Sequence, residues 1–304
     1  MSSPHPSGAP PAGDPAAAAI RMMAASPPLR DLVSDVIEEG WARWGLPRQD
    51  VTGILAAAMD TPDDATRTAF TAAPYLCRPD LAFADGYAAA RAAKFDVVAD
   101  LIAPHVRPGP VCDMGAGDVQ LISRLAQRTK SGSRFVATDV FGEPLDDGDV
   151  SFVLQEQPDR LPLADSSTAT VIATGMLHHM SAEVRSRLLD DVRRCLTPDG
   201  ALILLEDTYP AMDWPSRDDV DERFQALSSD DRWGFLAATD WWGNRVMKNL
   251  PDVPLPCTFL DLAGWRVTLA AAGLAVRSAD YLGVVDCGGH MATPRSLVVV
   301  EPIG

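Results

Sequence analysis

The chain has 304 residues, 47% of them hydrophobic and 22% charged, which suits a globular protein of one large or two ordinary domains. Its 42 acidic residues against 26 basic ones leave a formal charge of −16 with no basic run, which argues against a nucleic-acid substrate, because such affinity rests on Lys and Arg neutralising phosphates. The five cysteines (Cys77, Cys112, Cys195, Cys257, Cys287) form no close pair, no stretch approaches the ~20 apolar residues of a membrane span, and the N-terminus lacks a basic start with an apolar core, so a cytoplasmic protein with reduced thiols and no membrane partner is expected.

Residues 1–15, rich in Pro, Gly, Ser and Ala, are expected to be disordered. From 16 to 105 apolar residues recur at helical spacing: Leu32, Val33, Val36 and Ile37, then Val51, Ile54, Leu55 and Met59, then Phe83, Tyr87, Phe95, Val98 and Leu101. No strand-like alternation interrupts them, and an N-terminal helical cap is expected. From 106 to 304 short apolar runs alternate with helical stretches, the pattern of an α/β domain with a parallel sheet. The expected strands are Val111–Asp113, Phe135–Asp139, Ser151–Leu154, Ala169–Ala173, Ala201–Leu205, Ala275–Tyr281 and Ser296–Val300. They make a seven-stranded, mostly parallel, doubly wound sheet. Helices are expected over Val119–Arg128, Ala182–Cys195 and Leu260–Ala272, the last capped by Thr258. About eleven residues separate the second and third strands, near the lower limit of a helical crossover, so a loop carrying Asp146, Asp147 and Asp149 is expected there. Between the fifth and sixth strands a helical insertion at about 207–257 is expected to cover the carboxyl ends of the strands, where such sheets bind ligands.

The stretch from Val111 to Leu121 reads as a buried strand ending in an acid, a glycine-rich turn and the first turn of a helix. Gly115 and Gly117 can take backbone angles closed to other residues and let a ligand approach the main chain, while the helix start offers unpaired N–H groups. A dinucleotide fold wants a third glycine where this chain has Gln120, and the Lys-Ser/Thr pair of a phosphate loop is absent. Asp113, two residues before Gly115, points to a ligand with a cationic group near the turn rather than a pyrophosphate. S-adenosylmethionine is such a ligand.

With these residues the chain resembles the class I S-adenosylmethionine-dependent methyltransferases, a Rossmann-like superfamily, in its small-molecule branch. Asp113-Met114-Gly115-Ala116-Gly117 is similar to the family's first motif, and Thr138-Asp139-Val140 to the strand end whose acid binds the ribose. Leu161-Pro162-Leu163-Ala164-Asp165-Ser166-Ser167, then Met176-Leu177-His178-His179, then Leu196-Thr197-Pro198-Asp199-Gly200 follow in the family's order, over roughly residues 85 to 302. The resemblance implies cofactor contacts from Asp113, Gly115, Ala116, Gly117, Asp139, Gln157, Thr174 and Met176, with Tyr87 ahead of the first strand reaching the cofactor or substrate beside Arg91 and Lys94. Gln157 stands where many members have an acid for the adenine amine, but its amide oxygen can still accept. Asp199 stands where the family has glycine, in a left-handed position that Asp visits more readily than most residues.

Methyl transfer is an in-line displacement that depends on placing the nucleophile, and a base is needed only when the nucleophile carries a proton of high pKa. His178 and His179 are candidates for that base, the alternative being a framework pair bonded to main chain. In the insertion, Asp240-Trp241-Trp242-Gly243-Asn244 is similar to the cap of a subset of the family. There Asp240 or Asn244 fixes a polar group of the substrate, and Trp241 and Trp242 present aromatic faces or serve as packing. Cys287-Gly288-Gly289-His290 would suit half a metal site, but no second cluster accompanies it, so a loop is expected and no metal. The expected function is methyl transfer from S-adenosylmethionine to oxygen or nitrogen of a small molecule. Two other readings keep the cofactor: an intramolecular cyclisation releasing methylthioadenosine, and a catalytically silent binding protein of the same fold.

Overall fold

The computed structural model describes residues 13–42, 48–73, 83–129, 134–143, 145–147, 150–286 and 291–304. The first twelve residues of the expected disordered tail and the Cys287–His290 stretch lie outside them. Asp14 and Pro15 already belong to a helix start: the Asp14 carboxylate accepts from the Ala16 N–H at 3.0 Å, and Pro15, whose missing N–H costs nothing at that position, opens α1 (Pro15–Ala25).

The chain divides into two units, the first built from residues 1–91, 212–259 and 283–294, the second from 92–211, 260–282 and 295–304. The first is helical. It comprises α2 (Pro27–Ala42), α3 (Arg48–Asp60) and α4 (Ala65–Ala72) besides α1, then α8 (Asp219–Ala226), α9 (Ser229–Trp241) and a π-helical turn over Trp242–Met247. α1 and α2 pack on α9. Gly234 permits that packing, because a Cβ there would stand 3.0 Å from Leu29 Cδ2 and 3.1 Å from Met22 Cε. The buried set runs from Ile20 and Met23 through Leu32, Val36 and Trp41 to Phe235, Trp241 and Trp242. The N-terminal segment and the insertion, expected as separate caps, thus share one core. α5 (Phe83–Ile102) passes from the first unit into the second at Arg91 rather than at residue 105.

The second unit carries the sheet, in the order β3-β4-β2-β1-β5-β6-β8-β7. β1 (Val111–Met114) lies between β2 (Phe135–Asp139) and β5 (Thr168–Thr174), parallel to both; β4 (Val150–Leu154) runs parallel to β2, and β6 (Leu196–Asp207) parallel to β5. β8 (Thr293–Pro302) returns antiparallel to β6, with β7 (Leu274–Val285) outside it. All seven expected strands are present. An eighth, β3 (Leu145–Asp147), pairs antiparallel with β4 at the edge of the sheet, in the stretch expected as a loop.

Alternation with a period of two sets the core. Cys112 and Met114, Val171 and Ala173, Leu202 and Leu204, Val298 and Val300 share one buried cluster with Leu188, Leu189 and Val192 of α7 (Ala182–Cys195) and Trp265 and Leu269 of α10 (Leu262–Ala271). α6 (Gln120–Thr129) packs on β1 and β2. α7 begins on Ser181, whose hydroxyl accepts from Val184 N–H at 3.3 Å. α10 begins two residues later than expected, capped by Asp261 through the Gly264 N–H at 2.7 Å and not by Thr258. The expected turn before Ala201 is strand too: Leu196 pairs with Thr168 and Ala201 with Thr170, so Thr197–Gly200 bulge out of register. Asp199 keeps a negative φ there, and no left-handed residue is used. Among the described residues no helix is long and apolar enough to cross a membrane.

Candidate active site at the carboxyl ends of the sheet

From β1 the chain moves outward to β2 and β4, then crosses back to β5 on the other side of β1. The strand order reverses at the β1/β5 boundary, and ligands of open α/β sheets bind outside the strand ends at such a point. The loop after β1 turns through Gly115 and Gly117, both at φ +67°, which a side chain would strain. A Cβ on Gly115 would also meet Met176, from the loop after β5, at 2.7 Å from its Cε, whereas one on Gly117 would find nothing within 4 Å. The two glycines therefore do different things: Gly115 admits Met176, and Gly117 leaves open space.

Asp139 at the end of β2 ties this corner together. Its Oδ2 accepts from the Gly117 N–H at 2.8 Å, its Oδ1 from the Phe141 N–H at 3.2 Å, and its carbonyl from the Gln155 N–H at 2.7 Å. Ala116 N–H donates to the Thr138 carbonyl at 3.1 Å. Gln120, in place of a third glycine, closes onto Asp118, which accepts from the Gln120 backbone and side-chain N–H groups, both at 2.9 Å. Asp113 is 1% exposed, and its Oδ1 has no hydrogen-bond partner. Burial first, then the charges of Asp118 and Asp139, hold its carboxyl well above the usual carboxylate range.

The Gln157 side chain is exposed, and its carbonyl accepts from Gln155 Nε2 at 2.8 Å. The loop beyond it is pinned to α7. Leu161 N–H donates to Asp191 at 2.7 Å, and Arg194 donates to the Leu163 carbonyl at 2.9 Å and to Asp165 at 2.6 Å.

After β5, Thr174 and Met176 are half-buried, and the Met176 and Leu177 N–H groups both donate to Glu206 Oε1, at 3.0 and 2.9 Å. Glu206 Oε2 stands 3.0 Å from His178 Nδ1. His178 is buried, with its Nδ1 against a carboxylate. His179 is half-buried, its ring centroid 4.2 Å from that of His178.

The candidates of the insertion sit in the helical unit. Trp241 is buried and donates from Nε1 to Thr66 Oγ1 at 2.9 Å; Trp242 is 0% exposed, edge-on to Trp41 at 5.2 Å and to Trp241 at 6.0 Å. Both rings are core of that unit, in line with the packing alternative. Asn244 donates to the Asp240 carboxylate at 2.6 Å and carbonyl at 3.1 Å, and accepts from Lys248 Nζ at 3.4 Å. Asp240 is the last residue but one of α9, and Asn244 lies on the π-turn that follows, where the Lys248 N–H reaches the Gly243 carbonyl, five residues back. The Tyr87 and Arg91 side chains lie outside the described residues, and Lys94 is half-buried.

Residues 112–204 match the family model of a methyltransferase domain. That segment of the chain is a methyltransferase domain. The solved structures it is similar to include the putative methyltransferase of Haloferax volcanii in complex with its Trm112 activator (16% identity over 69% of this chain and 90% of that one, TM-score 0.47). Others are the 1,6-didemethyltoxoflavin-N1-methyltransferase of Burkholderia thailandensis with bound 1,6-didemethyltoxoflavin and S-adenosylhomocysteine (18% over 76% and 89%, TM-score 0.44) and the mitomycin 7-O-methyltransferase MmcR (13% over 84% and 70%, TM-score 0.46). No curated protein matches the chain in sequence. In the sheet-bearing unit, the residue that sequence reasoning passed over is Glu206. Its one signal was position, an acid at the carboxyl end of a strand in a parallel sheet.

Proposed function

We propose that this protein transfers the methyl group of S-adenosylmethionine to oxygen or nitrogen of a small molecule, a specialised metabolite. The observation that carries the reading is the Gly115–Gly117 turn bonded to Asp139 at the reversal point of the sheet, within the segment matched as a methyltransferase domain. The residues present fit the cofactor. Asp113 holds a buried carboxylate oxygen with no partner, suited to a cationic ligand group; Gly117 leaves its Cβ position empty; Asp139 offers carboxylate oxygens to ribose hydroxyls. Asp113, Gly115, Ala116, Gly117 and Asp139 would hold it together with the Thr174–Met176 backbone, Gln157 accepting from the adenine amine and Tyr87 reaching its carboxylate. When bound, it supplies the electrophilic methyl of a sulfonium.

The chain's own part is to hold and orient. His179, half-buried beside a fixed His178, is our candidate to take a proton from the acceptor. Asp240 and Asn244 are our candidates for recognising a polar group of the acceptor, Trp241 and Trp242 serving as packing.

Titration of the folded protein with S-adenosylhomocysteine in a calorimeter tests the cofactor, and absence of binding sinks the reading. Incubation with labelled S-adenosylmethionine, with and without a metabolite extract, tests the reaction. Labelled methyl on an acceptor and released S-adenosylhomocysteine are expected; methylthioadenosine formed without an acceptor would mean cyclisation instead.

A further inference from the structure

Glu206 is a carboxylate 1% exposed at the end of β6, and three donors meet it. An ionised carboxylate accepts at both oxygens and donates at neither, so two amides on Oε1 and a ring nitrogen on Oε2 satisfy a buried anion. A cation supports it. Arg185 of α7, buried with its guanidinium 5.5 Å over the Trp265 ring, has its pKa lowered by burial, and the Glu206 charge works against that loss. An anion here must therefore do more than fill space, because an apolar residue would leave the Met176 and Leu177 amides without their acceptor.

We infer that Glu206 is a positioning residue for the proposed methyl transfer, fixing the Gly175–His179 turn through two backbone amides with one oxygen and holding the His178 proton on Nδ1 with the other. The inference rests on the S-adenosylmethionine reading above and extends it. The first link runs to the cofactor corner: the clamped amide is that of Met176, whose side chain covers Gly115. Without the clamp, Met176 can shift over the glycine turn. The second link runs to the candidate base: His178, set by Glu206, packs against His179 with ring centroids 4.2 Å apart and the planes tilted by 42°, so the His178 orientation constrains that of its neighbour.

Two substitutions separate the links. Glu206→Gln keeps a carbonyl oxygen for both amides but turns an NH2 toward Nδ1, which drives the imidazole proton of His178 to Nε2. Glu206→Ala removes both functions. Nitrogen NMR of histidine-labelled protein without cofactor should show His178 protonated at Nδ1 in the wild type and at Nε2 in Glu206→Gln, a change that no purely structural role predicts. Calorimetry with S-adenosylhomocysteine should give Glu206→Gln an affinity within about threefold of wild type and Glu206→Ala one at least tenfold weaker, and turnover by Glu206→Gln should fall in kcat with the cofactor KM nearly kept. A wild-type His178 with no proton on Nδ1 overturns the inference, as does a Glu206→Gln enzyme with unchanged His178 signals and full kcat. If Glu206→Ala does not fold, Glu206→Gln decides alone. A wild-type protein that binds no S-adenosylhomocysteine rejects the function, while the NMR result still judges the clamp.

Discussion

Asp113 is held protonated above the range where an unfolded chain would have lost the proton, and the sign of the consequence follows. Its contribution to stability is full below pH 3.8, the ordinary value, and is lost as pH rises through the raised folded pKa. Asp113→Asn has no such proton to lose, so its denaturant midpoint should drop less than that of wild type as pH is raised from 4 toward neutrality. A wild-type profile parallel to the variant's would reject the assignment. The same group couples to the ligand. A cationic group beside it favours the ionised form, so binding of the cofactor should release protons below the raised pKa and tighten with pH, read by calorimetry in buffers of different ionisation enthalpy. Asp139→Ala removes the acceptor for the Gly117 and Phe141 N–H groups and for the ribose; a charge-assisted bond is worth about 1.5–3 kcal/mol, so S-adenosylhomocysteine affinity should fall roughly 10- to 100-fold. Both acids were legible, because each closes a short apolar strand next to a glycine turn or a recognised motif. Glu206 was not. Its partners lie 28 to 30 residues back in the chain, and only the pairing of β5 with β6 brings them together.

At the scale of the element, the glycine corner separates strain from access. Ala at either glycine pays for a positive φ, about 1 kcal/mol. Gly115→Ala also forces Met176 aside, and overpacking adds roughly 1–3 kcal/mol, whereas Gly117→Ala meets open space. Gly115→Ala should therefore lower the thermal midpoint more, while Gly117→Ala should keep the fold and lose cofactor affinity where the ligand approaches the main chain. Equal midpoints would contradict the Met176 contact. The same local physics decided which elements could be read. α7 was read to the residue, since Ser181 caps a clear apolar period, and β2 was too. The sequence pattern reads β6 short because Thr197-Pro198-Asp199-Gly200 carries the chemistry of a turn, whereas the structure carries those residues as a bulge facing the start of β5. The sequence pattern favours Thr258 as the cap of α10, yet Thr258 and Asp261 each offer a side-chain acceptor, and only the geometry at Gly264 chooses Asp261.

On the scale of the whole molecule, the sequence showed two helical stretches about a hundred residues apart and gave no local sign that they share a core. Helical periodicity names the face a helix buries, and nothing in it names the partner. The partner is fixed by close approach at Gly234, by Ser26 Oγ donating to Asp231 at 3.2 Å and by Trp241 donating to Thr66. The helical unit is consequently discontinuous in sequence, and removal of one piece strips another. A fragment of residues 92–304 keeps α8, α9 and the π-turn but loses α1 to α4, so Phe235, Leu236, Trp241 and Trp242, all buried in the full chain, lose the helices packed on them. Each large side chain brought from core to water costs about 1.5–3 kcal/mol, and four together approach the whole stability of an ordinary domain. The fragment should bind a hydrophobic dye and aggregate. In the full chain, Trp241→Ala, which opens a cavity and strands the Thr66 hydroxyl, should cost about 3–5 kcal/mol in denaturant unfolding. A monodisperse fragment without dye binding, together with a Trp241→Ala protein as stable as wild type, would mean that α9 does not depend on the N-terminal helices for its cover.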